Sequence, residues 1–194
     1  MLQSIKRAFE TGIIPTILLT GSLSLNVFLA LHFDKKVVIK ERDEQLTTGM
    51  YLPSLKAYRR GVGQAAIRWS SPQDSRQTLL YVFSPQCGWC IKNASNIRHL
   101  VSQTSSTYRV VGISLSEDGI DDYIRKNNFE FAIYTDVKDE QGVAPKFLTT
   151  PYTLVVSHEG LIVQAWAGAY SGKIATLVEH AFNLHLPGLS ETVH

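Results

Sequence analysis

The sequence predicts an α/β domain that follows a single N-terminal membrane segment, and three observations support this fold class. A short apolar, β-prone run at residues 77–83 leads into a helical pattern that begins at Cys87 and Cys90. Further strand and helix patterns then alternate as far as Leu184. Residues 11–33 contain no Asp, Glu, Lys or Arg, which is typical of a transmembrane helix.

The N-terminal segment is long enough to cross a bilayer. Residues 13–33 can span about 30 Å of hydrocarbon at about 1.5 Å per residue. A cleaved secretory signal is the alternative, but no small-x-small cleavage site stands near Ala30. We therefore predict an N-terminal tail at 1–12, a signal anchor at 13–33, a charged linker at 34–48 and one domain at 49–194.

The domain's elements follow from hydrophobic periodicity and from turn residues. In chain order, the predicted elements are a β-extension at 49–69, a strand at 77–83, a helix from 87 to 101, a strand at 108–115, a helix at 120–126, a strand at 129–134, a weaker helix at 139–147, a strand at 152–157, a hairpin turn at 158–160, a strand at 161–166 and a closing helix at 173–184. Ile174, Leu177 and Val178 are predicted on the inner face of the last helix.

The Cys87-Gly88-Trp89-Cys90 motif carries the chemistry, and it holds both cysteines of the chain. A helix N-terminus favours a thiolate, so we expect a lowered pKa for Cys87 and a nucleophilic role. Cys90, one turn later, is placed to attack a mixed disulfide on Cys87. A structural zinc site lacks a second ligand pair, and an inert disulfide would close too small a loop to stabilise much, although both readings stay open. We predict no bound metal and no cofactor.

These motifs resemble the thioredoxin fold, in particular the TlpA/ResA group of thiol–disulfide oxidoreductases. The similar pieces are the strand and CxxC at 81–90, Thr150-Pro151 ahead of a strand, the hairpin at 157–160 and Ala167-Gly168-Ala169 before the last helix. The helix and strand at 120–134 resemble the αβ insertion that separates this group from plain thioredoxin. The resemblance covers roughly residues 49–184.

The resemblance implies roles for further residues. Pro151 would follow a cis peptide bond, and the Thr150 backbone would pair with an extended substrate segment beside Cys87. Gly88 and Trp89 are expected to contact substrate. A plain strand-initiating turn at Thr150-Pro151 and simple surface packing of Trp89 are the alternatives. The chain departs from the family where carboxylates handle protons, because Tyr81 and Asn93 stand at those positions.

Location and partners rest on the same resemblance. Lys and Arg follow the span more often than they precede it, so a simple positive-inside count points the domain to the cytoplasm. Large domains are exported despite such charge, and the group implies a single-pass inner-membrane protein with a periplasmic or otherwise extracytoplasmic domain. The implied partners are protein disulfide substrates and a transmembrane thiol-electron donor. The net charge of +2 and the lack of a phosphate loop or basic face argue against nucleic acid.

The predicted function is therefore reduction of protein disulfides, for example in cytochrome c or copper-site maturation. Two alternatives stay open. One is a disulfide-forming oxidase or isomerase. The other is a non-enzymatic copper-delivery protein that uses Cys87 and Cys90 as soft ligands, which normally needs a nearby histidine.

Overall fold

The computed structural model describes residues 45–71, 74–139 and 146–190, together with Ser22, Ser24 and Phe28. Contacts divide the chain into two compact units, 1–44 and 45–194, and the second one holds the α/β domain. Its strands are β1 (Leu55–Arg59), β2 (Gly63–Ile67), β3 (Gln77–Phe83), β4 (Tyr108–Ser114), β5 (Ala132–Asp139), β6 (Tyr152–Val156) and β7 (Ile162–Ala167). Its helices are α1 (Gly88–Thr104), α2 (Ile120–Asn127) and α3 (Gly172–Phe182).

The seven strands form one mixed sheet in the order β2-β1-β5-β4-β3-β6-β7. Strands β3, β4 and β5 are parallel to their neighbours within this group, and α1 and α2 connect them in turn. Strands β6 and β7 form an antiparallel hairpin beside β3. The predicted α/β class is therefore confirmed, and β3, which ends at the CxxC motif, is the central strand of the β4-β3-β6 group.

Strand β3 is buried on both faces, as expected of a central strand that is covered on both sides of the sheet. Its alternate side chains divide between two apolar clusters. Leu79, Tyr81 and Phe83 pack into the cluster that includes the helices and Cys90. Leu80 and Val82 pack on the other face, against residues of the N-terminal hairpin and of β6. The strand thus fixes the start of α1 against the sheet.

The predicted β-extension is an antiparallel hairpin of β1 and β2, with β1 also pairing antiparallel to β5. The segment before β1 is joined to the β6–β7 turn, where the Leu52 amide donates to the Gly160 carbonyl at 2.8 Å. Gly160 has a φ of 88°, and a Cβ there would lie 2.6 Å from the Leu52 carbonyl oxygen. Only glycine satisfies both the backbone angle and this close approach.

The insertion is present, but its strand was predicted too early in the chain. The predicted strand at 129–134 is observed at Ala132–Asp139. Phe129 and Phe131 precede it, and their rings contact each other with centroids 5.0 Å apart. Phe129 also packs edge-on against Tyr123 of α2. These aromatic residues have β-propensity, but here they fill the space beside α2, and pairing with β1 extends the strand toward Asp139.

One further prediction needs correction, and another falls mostly outside the described residues. Leu177, predicted on the inner face of the closing helix, is 48% exposed. Of the predicted helix at 139–147, the structure describes only Asp139, which ends β5, and residues 146–147, which are irregular. Residues 140–145 lie outside the described part of the chain.

The predicted anchor at 13–33 and most of the linker at 34–48 lie outside the described residues, apart from three isolated helical positions. Within the described part of the chain, no helix combines the length and the hydropathy needed to cross a membrane.

Candidate active site

Cys87 is the N-cap residue of α1, as the sequence predicts. Its backbone is extended, with φ −75° and ψ 112°, and its amide donates to the Ser84 carbonyl at 3.1 Å. Its Sγ accepts a hydrogen bond from the Cys90 amide at 3.3 Å. Side-chain acceptors at this position satisfy amides that have no partner within the helix. The sulfur therefore replaces the Ser or Asp oxygen that usually caps a helix.

The pKa of the Cys87 thiol is lowered from its ordinary value. Partial burial opposes this, since it disfavours the charged form, but hydrogen bonds involving Thr150, Cys90 and the Trp89 amide together outweigh it. The residue is half-buried, so the sulfur remains within reach of another molecule. A partly exposed thiol with a lowered pKa is the environment of a reactive cysteine.

Cys90 lies in the opposite environment, one turn into α1. It is 0% exposed and belongs to the apolar cluster between the helices and the sheet. Burial, followed by its hydrogen bond with Cys87, raises the pKa of the Cys90 thiol to about 12. Neither cysteine is in a disulfide bond in this structure. The motif thus pairs a thiol that ionises readily with one that stays protonated.

The Thr150-Pro151 pair, which directly precedes β6, lies beside the cysteines. The peptide bond between them is cis, as the resemblance implies. The Cys87 thiol contacts the Thr150 carbonyl oxygen, with Sγ and O 3.4 Å apart. The Pro151 carbonyl is occupied by the Gly168 amide at 2.8 Å, which holds this loop against the segment after β7. The structure therefore brings together two motifs that lie 63 residues apart.

The two residues between the cysteines are exposed. A Cβ placed on Gly88 would meet no atom within 4 Å. The Trp89 side chain is 56% exposed, and the Lys92 ammonium lies 5.2 Å from its ring centroid. Leu148, two residues before Thr150, is 58% exposed and was not singled out from the sequence. An exposed aromatic residue therefore lies within the Cys87 motif, and an exposed leucine precedes the Thr150 motif.

A polar cluster beneath the motif was also missed. Asn93 and Asn96 are 0% exposed on the inner face of α1. The Asn93 Oδ1 accepts from the Tyr170 amide at 2.9 Å and from the Asn96 Nδ2 at 3.0 Å. Their spacing of three and six residues from Cys90 could have placed them on its buried face. Apolar periodicity gave no such signal, because both residues are polar.

The segment after α3 runs back along this cluster. The Gly188 amide donates to the Asn96 Oδ1 at 2.9 Å, and the Ser190 amide donates to the Lys92 carbonyl at 2.9 Å. Ser95 adds a hydrogen bond from its hydroxyl to the Gly188 carbonyl at 3.0 Å. Residues 186–190, here called the C-terminal strap, therefore cover the side of α1 that begins one turn after the motif.

Two neutral residues, Tyr81 and Asn93, stand where the resembled group has carboxylates that transfer protons. Tyr81 is 1% exposed on β3, in the same cluster as Cys90. Tyr123 of α2 donates its hydroxyl proton to the Cys90 carbonyl at 3.0 Å. None of the Asp and Glu side chains in the described ranges is buried. Those ranges also contain no group of three or more His, Cys, Asp or Glu side chains that could hold a metal ion.

We compared the chain with known protein families, curated proteins and solved structures. No family model matches the chain. A curated Thioredoxin-like protein of Haemophilus influenzae is 29% identical over 90 residues, which is 45% of this chain and 52% of that protein. The chain thus spans about half the length of the curated relative it matches.

Solved structures match over more of the chain. The thioredoxin domain of a thiol-disulfide oxidoreductase from Bacteroides vulgatus has a TM-score of 0.50 at 15% identity, and covers 72% of this chain and 100% of its own. A thiol:disulfide interchange protein from Bacteroides sp. has a TM-score of 0.52 at 16% identity, with 71% and 91% covered. At this identity the likeness establishes the fold. The chain is therefore a protein of thioredoxin-like fold, and the solved structures that it resembles include thiol–disulfide oxidoreductases.

Proposed function

We propose that this chain is a thiol–disulfide oxidoreductase that reduces protein disulfides outside the cytoplasm while anchored by its N-terminal segment. The observation that carries the proposal is the difference in burial and in pKa between the two cysteines of the motif. Cys87 is half-buried, caps α1 and has a lowered pKa, whereas Cys90 is fully buried one turn away with a raised pKa. This arrangement suits one attacking and one resolving thiol.

The proposed reaction has two exchange steps. The Cys87 thiolate attacks one sulfur of the substrate disulfide, which forms a mixed disulfide and releases the other substrate sulfur as a thiolate. Cys90 then attacks Sγ of Cys87, and its proton ends on the second departing substrate thiolate. The substrate gains two electrons, and the chain is left with a Cys87–Cys90 disulfide. A transmembrane thiol-electron donor would return the pair to the dithiol.

Substrate would lie across the surface formed by Gly88, Trp89 and Thr150, with Pro151 behind it. Gly88 leaves open space beside Cys87, and Trp89 offers an exposed apolar ring. The Thr150 carbonyl, which the Cys87 thiol contacts in this structure, would become an acceptor for a substrate amide once the thiol ionises. Pairing with backbone groups suits extended segments of varied sequence, so protein disulfides are the expected substrate class.

Two single substitutions test the roles of the cysteines. Reduced wild-type protein is mixed with an accessible model protein disulfide, and Cys87→Ala and Cys90→Ala are compared with it. We expect Cys87→Ala to lose reduction and Cys90→Ala to accumulate mixed disulfides that a reductant cleaves. Accumulation on Cys90 in the Cys87→Ala protein would reverse the assignment. Ser95→Ala, on the same helix but away from the motif, is the matched control and should behave as wild type.

The location is tested by access to the thiol. We expect an impermeant thiol reagent added to intact, reduced cells to label Cys87, because the proposed domain lies outside the cytoplasm. The label should sediment with membranes. Labelling in lysates alone would place the domain in the cytoplasm, in agreement with the positive-inside count.

A further inference from the structure

Two buried side-chain donors next to the resolving cysteine have no partner. Among the described residues, three buried side-chain atoms have no hydrogen bond, namely the Tyr81 hydroxyl, the Asn93 Nδ2 and the Gln45 Nε2. Tyr81 is 1% exposed and Asn93 is 0% exposed. Buried polar groups are nearly always paired, and each exception calls for an explanation such as a catalytic role. Two of the three, Tyr81 and Asn93, belong to the surroundings of Cys90.

The Asn93 amide is held in one orientation. Its Oδ1 accepts from the Tyr170 amide at 2.9 Å and from the Asn96 Nδ2 at 3.0 Å, so the oxygen is fixed by two donors. A flipped amide would place a donor against both of these donors. Nδ2 is therefore the side that remains unpaired, and it can only donate. Asn93 lies three residues after Cys90, on the same face of α1.

The Tyr81 hydroxyl is surrounded by apolar and aromatic groups. Its ring stacks on Phe83 with centroids 5.3 Å apart and meets Phe129 edge-on. Burial, followed by the neighbouring Tyr123 and Cys90, raises the pKa of Tyr81, so the hydroxyl keeps its proton. The Tyr123 hydroxyl donates to the Cys90 carbonyl at 3.0 Å and lies close enough to Tyr81 to affect its pKa, but the two hydroxyls do not meet hydrogen-bond geometry. Tyr81 thus offers an uncommitted proton in the cluster that contains Cys90.

A buried thiol that must ionise needs either a base or groups that stabilise its anion. The described residues offer no buried carboxylate as a base. Donors that point into a buried site before reaction stabilise charge that develops there, at no reorganisation cost. We propose that the Tyr81 hydroxyl is such a donor, which stabilises the Cys90 thiolate as it attacks Cys87, with the Asn93 amide as a second donor beside it.

This inference rests on the proposed function and concerns its second step. Cys90 loses its proton, the thiolate forms a bond to Cys87 Sγ, and the bond from Cys87 to the substrate sulfur breaks. The substrate sulfur leaves with the electron pair and takes up the proton. Tyr81 keeps its own proton throughout and only donates a hydrogen bond. The attack of Cys87 on the substrate does not involve it.

The test separates the two steps with a symmetric aromatic disulfide whose thiolate is coloured. The first coloured thiolate is released when Cys87 attacks, and the second when Cys90 resolves. In Tyr81→Phe we expect the first release to keep its rate and the second to slow about tenfold or more, as for the loss of a hydrogen bond to a charged group. The midpoint of thermal unfolding should stay the same or rise, because the substitution removes an unpaired buried hydroxyl.

Tyr170→Phe is the matched control, because its hydroxyl is also fully buried but is already paired with the Thr153 hydroxyl at 2.6 Å. We expect a lower unfolding midpoint and an unchanged second release. Equal slowing in both variants, or a wild-type second release in Tyr81→Phe, overturns the inference. A wild-type protein that shows no first release instead overturns the proposed function, and the role of Tyr81 with it.

Discussion

Two cysteines separated by two residues have opposite acid–base properties in this domain. Cys87 caps the helix and accepts an amide hydrogen bond, whereas Cys90 is buried among apolar side chains. The pKa of the first thiol is lowered and that of the second is raised to about 12. The difference arises from one helical turn, because that turn carries the side chain from the helix end into the core.

The raised pKa of Cys90 predicts a loss of stability at alkaline pH. Above the ordinary thiol pKa of 9.0, an unfolded Cys90 releases its proton while the folded one keeps it to about 12. The unfolded state then binds fewer protons, so the unfolding free energy falls by about 1.4 kcal/mol per pH unit in that window. Urea unfolding of the reduced protein near pH 10 measures this slope.

The lowered pKa of Cys87 has the opposite effect on the unfolding free energy, which it raises rather than lowers as the pH increases, and it does so at lower pH. Its folded pKa is lowered, so it adds stability as the pH rises through that pKa toward 9.0, and the gain is complete above 9.0.

Reduced Cys90→Ala is the control for the loss of stability at alkaline pH, since it keeps Cys87 and the tyrosines. Parallel slopes for wild type and Cys90→Ala would show that Cys90 ionises normally in the folded protein.

At the scale of one element, α1 has a polar stripe on its buried face. The Asn96 side chain contacts three segments, because it bonds Asn93 within α1, the Tyr170 carbonyl at 3.3 Å and the Gly188 amide at 2.9 Å. Such a side chain fixes the helix relative to the loop before α3 and to the C-terminal strap. A buried side chain that is paired through both its nitrogen and its oxygen favours one arrangement of the helix.

Replacing Asn96 is therefore expected to destabilise the domain. In Asn96→Ala, the Gly188 amide and the Tyr170 carbonyl lose their partner, so we expect a loss of about 2–4 kcal/mol in unfolding free energy. Ser95→Ala, which removes more exposed contacts with the same strap, should cost below about 1 kcal/mol. Urea unfolding compares the two. Similar small losses would mean that the strap is held without Asn96.

The sequence predicts where helices and strands occur better than it predicts which of their residues are buried. The strand before the motif, the helix N-terminus at Cys87 and the cis Thr150-Pro151 bond are all observed. Asn93 and Asn96 escaped prediction because their burial depends on partners some 70 to 90 residues away. Leu177 is exposed because α3 turns mainly Val178 into the core. Helix periodicity specifies an apolar stripe but not its edges.

For the whole molecule, the environment of the motif predicts a reducing couple. The pKa of the Cys87 thiol is lowered by hydrogen bonds, while burial opposes that lowering and also keeps Cys90 protonated. Strong oxidants owe their potentials, near about −120 mV, to a much stabilised reduced form. We expect a potential closer to about −270 mV, measured by equilibration with dithiothreitol or glutathione buffers. A value above about −150 mV would favour the disulfide-forming alternative.

The C-terminal strap also determines when, during synthesis, α1 can gain all of its contacts. The amide of Gly188 reaches an asparagine 92 residues earlier, and the Ser190 amide reaches the Lys92 carbonyl. At about 5–20 residues per second, a ribosome needs on the order of ten seconds to make the chain between them. During that time the Asn96 Oδ1 lacks the Gly188 amide that it bonds in the folded domain. The side of α1 that carries Lys92, Ser95 and Asn96 is therefore completed only after residues 186–190 have been made.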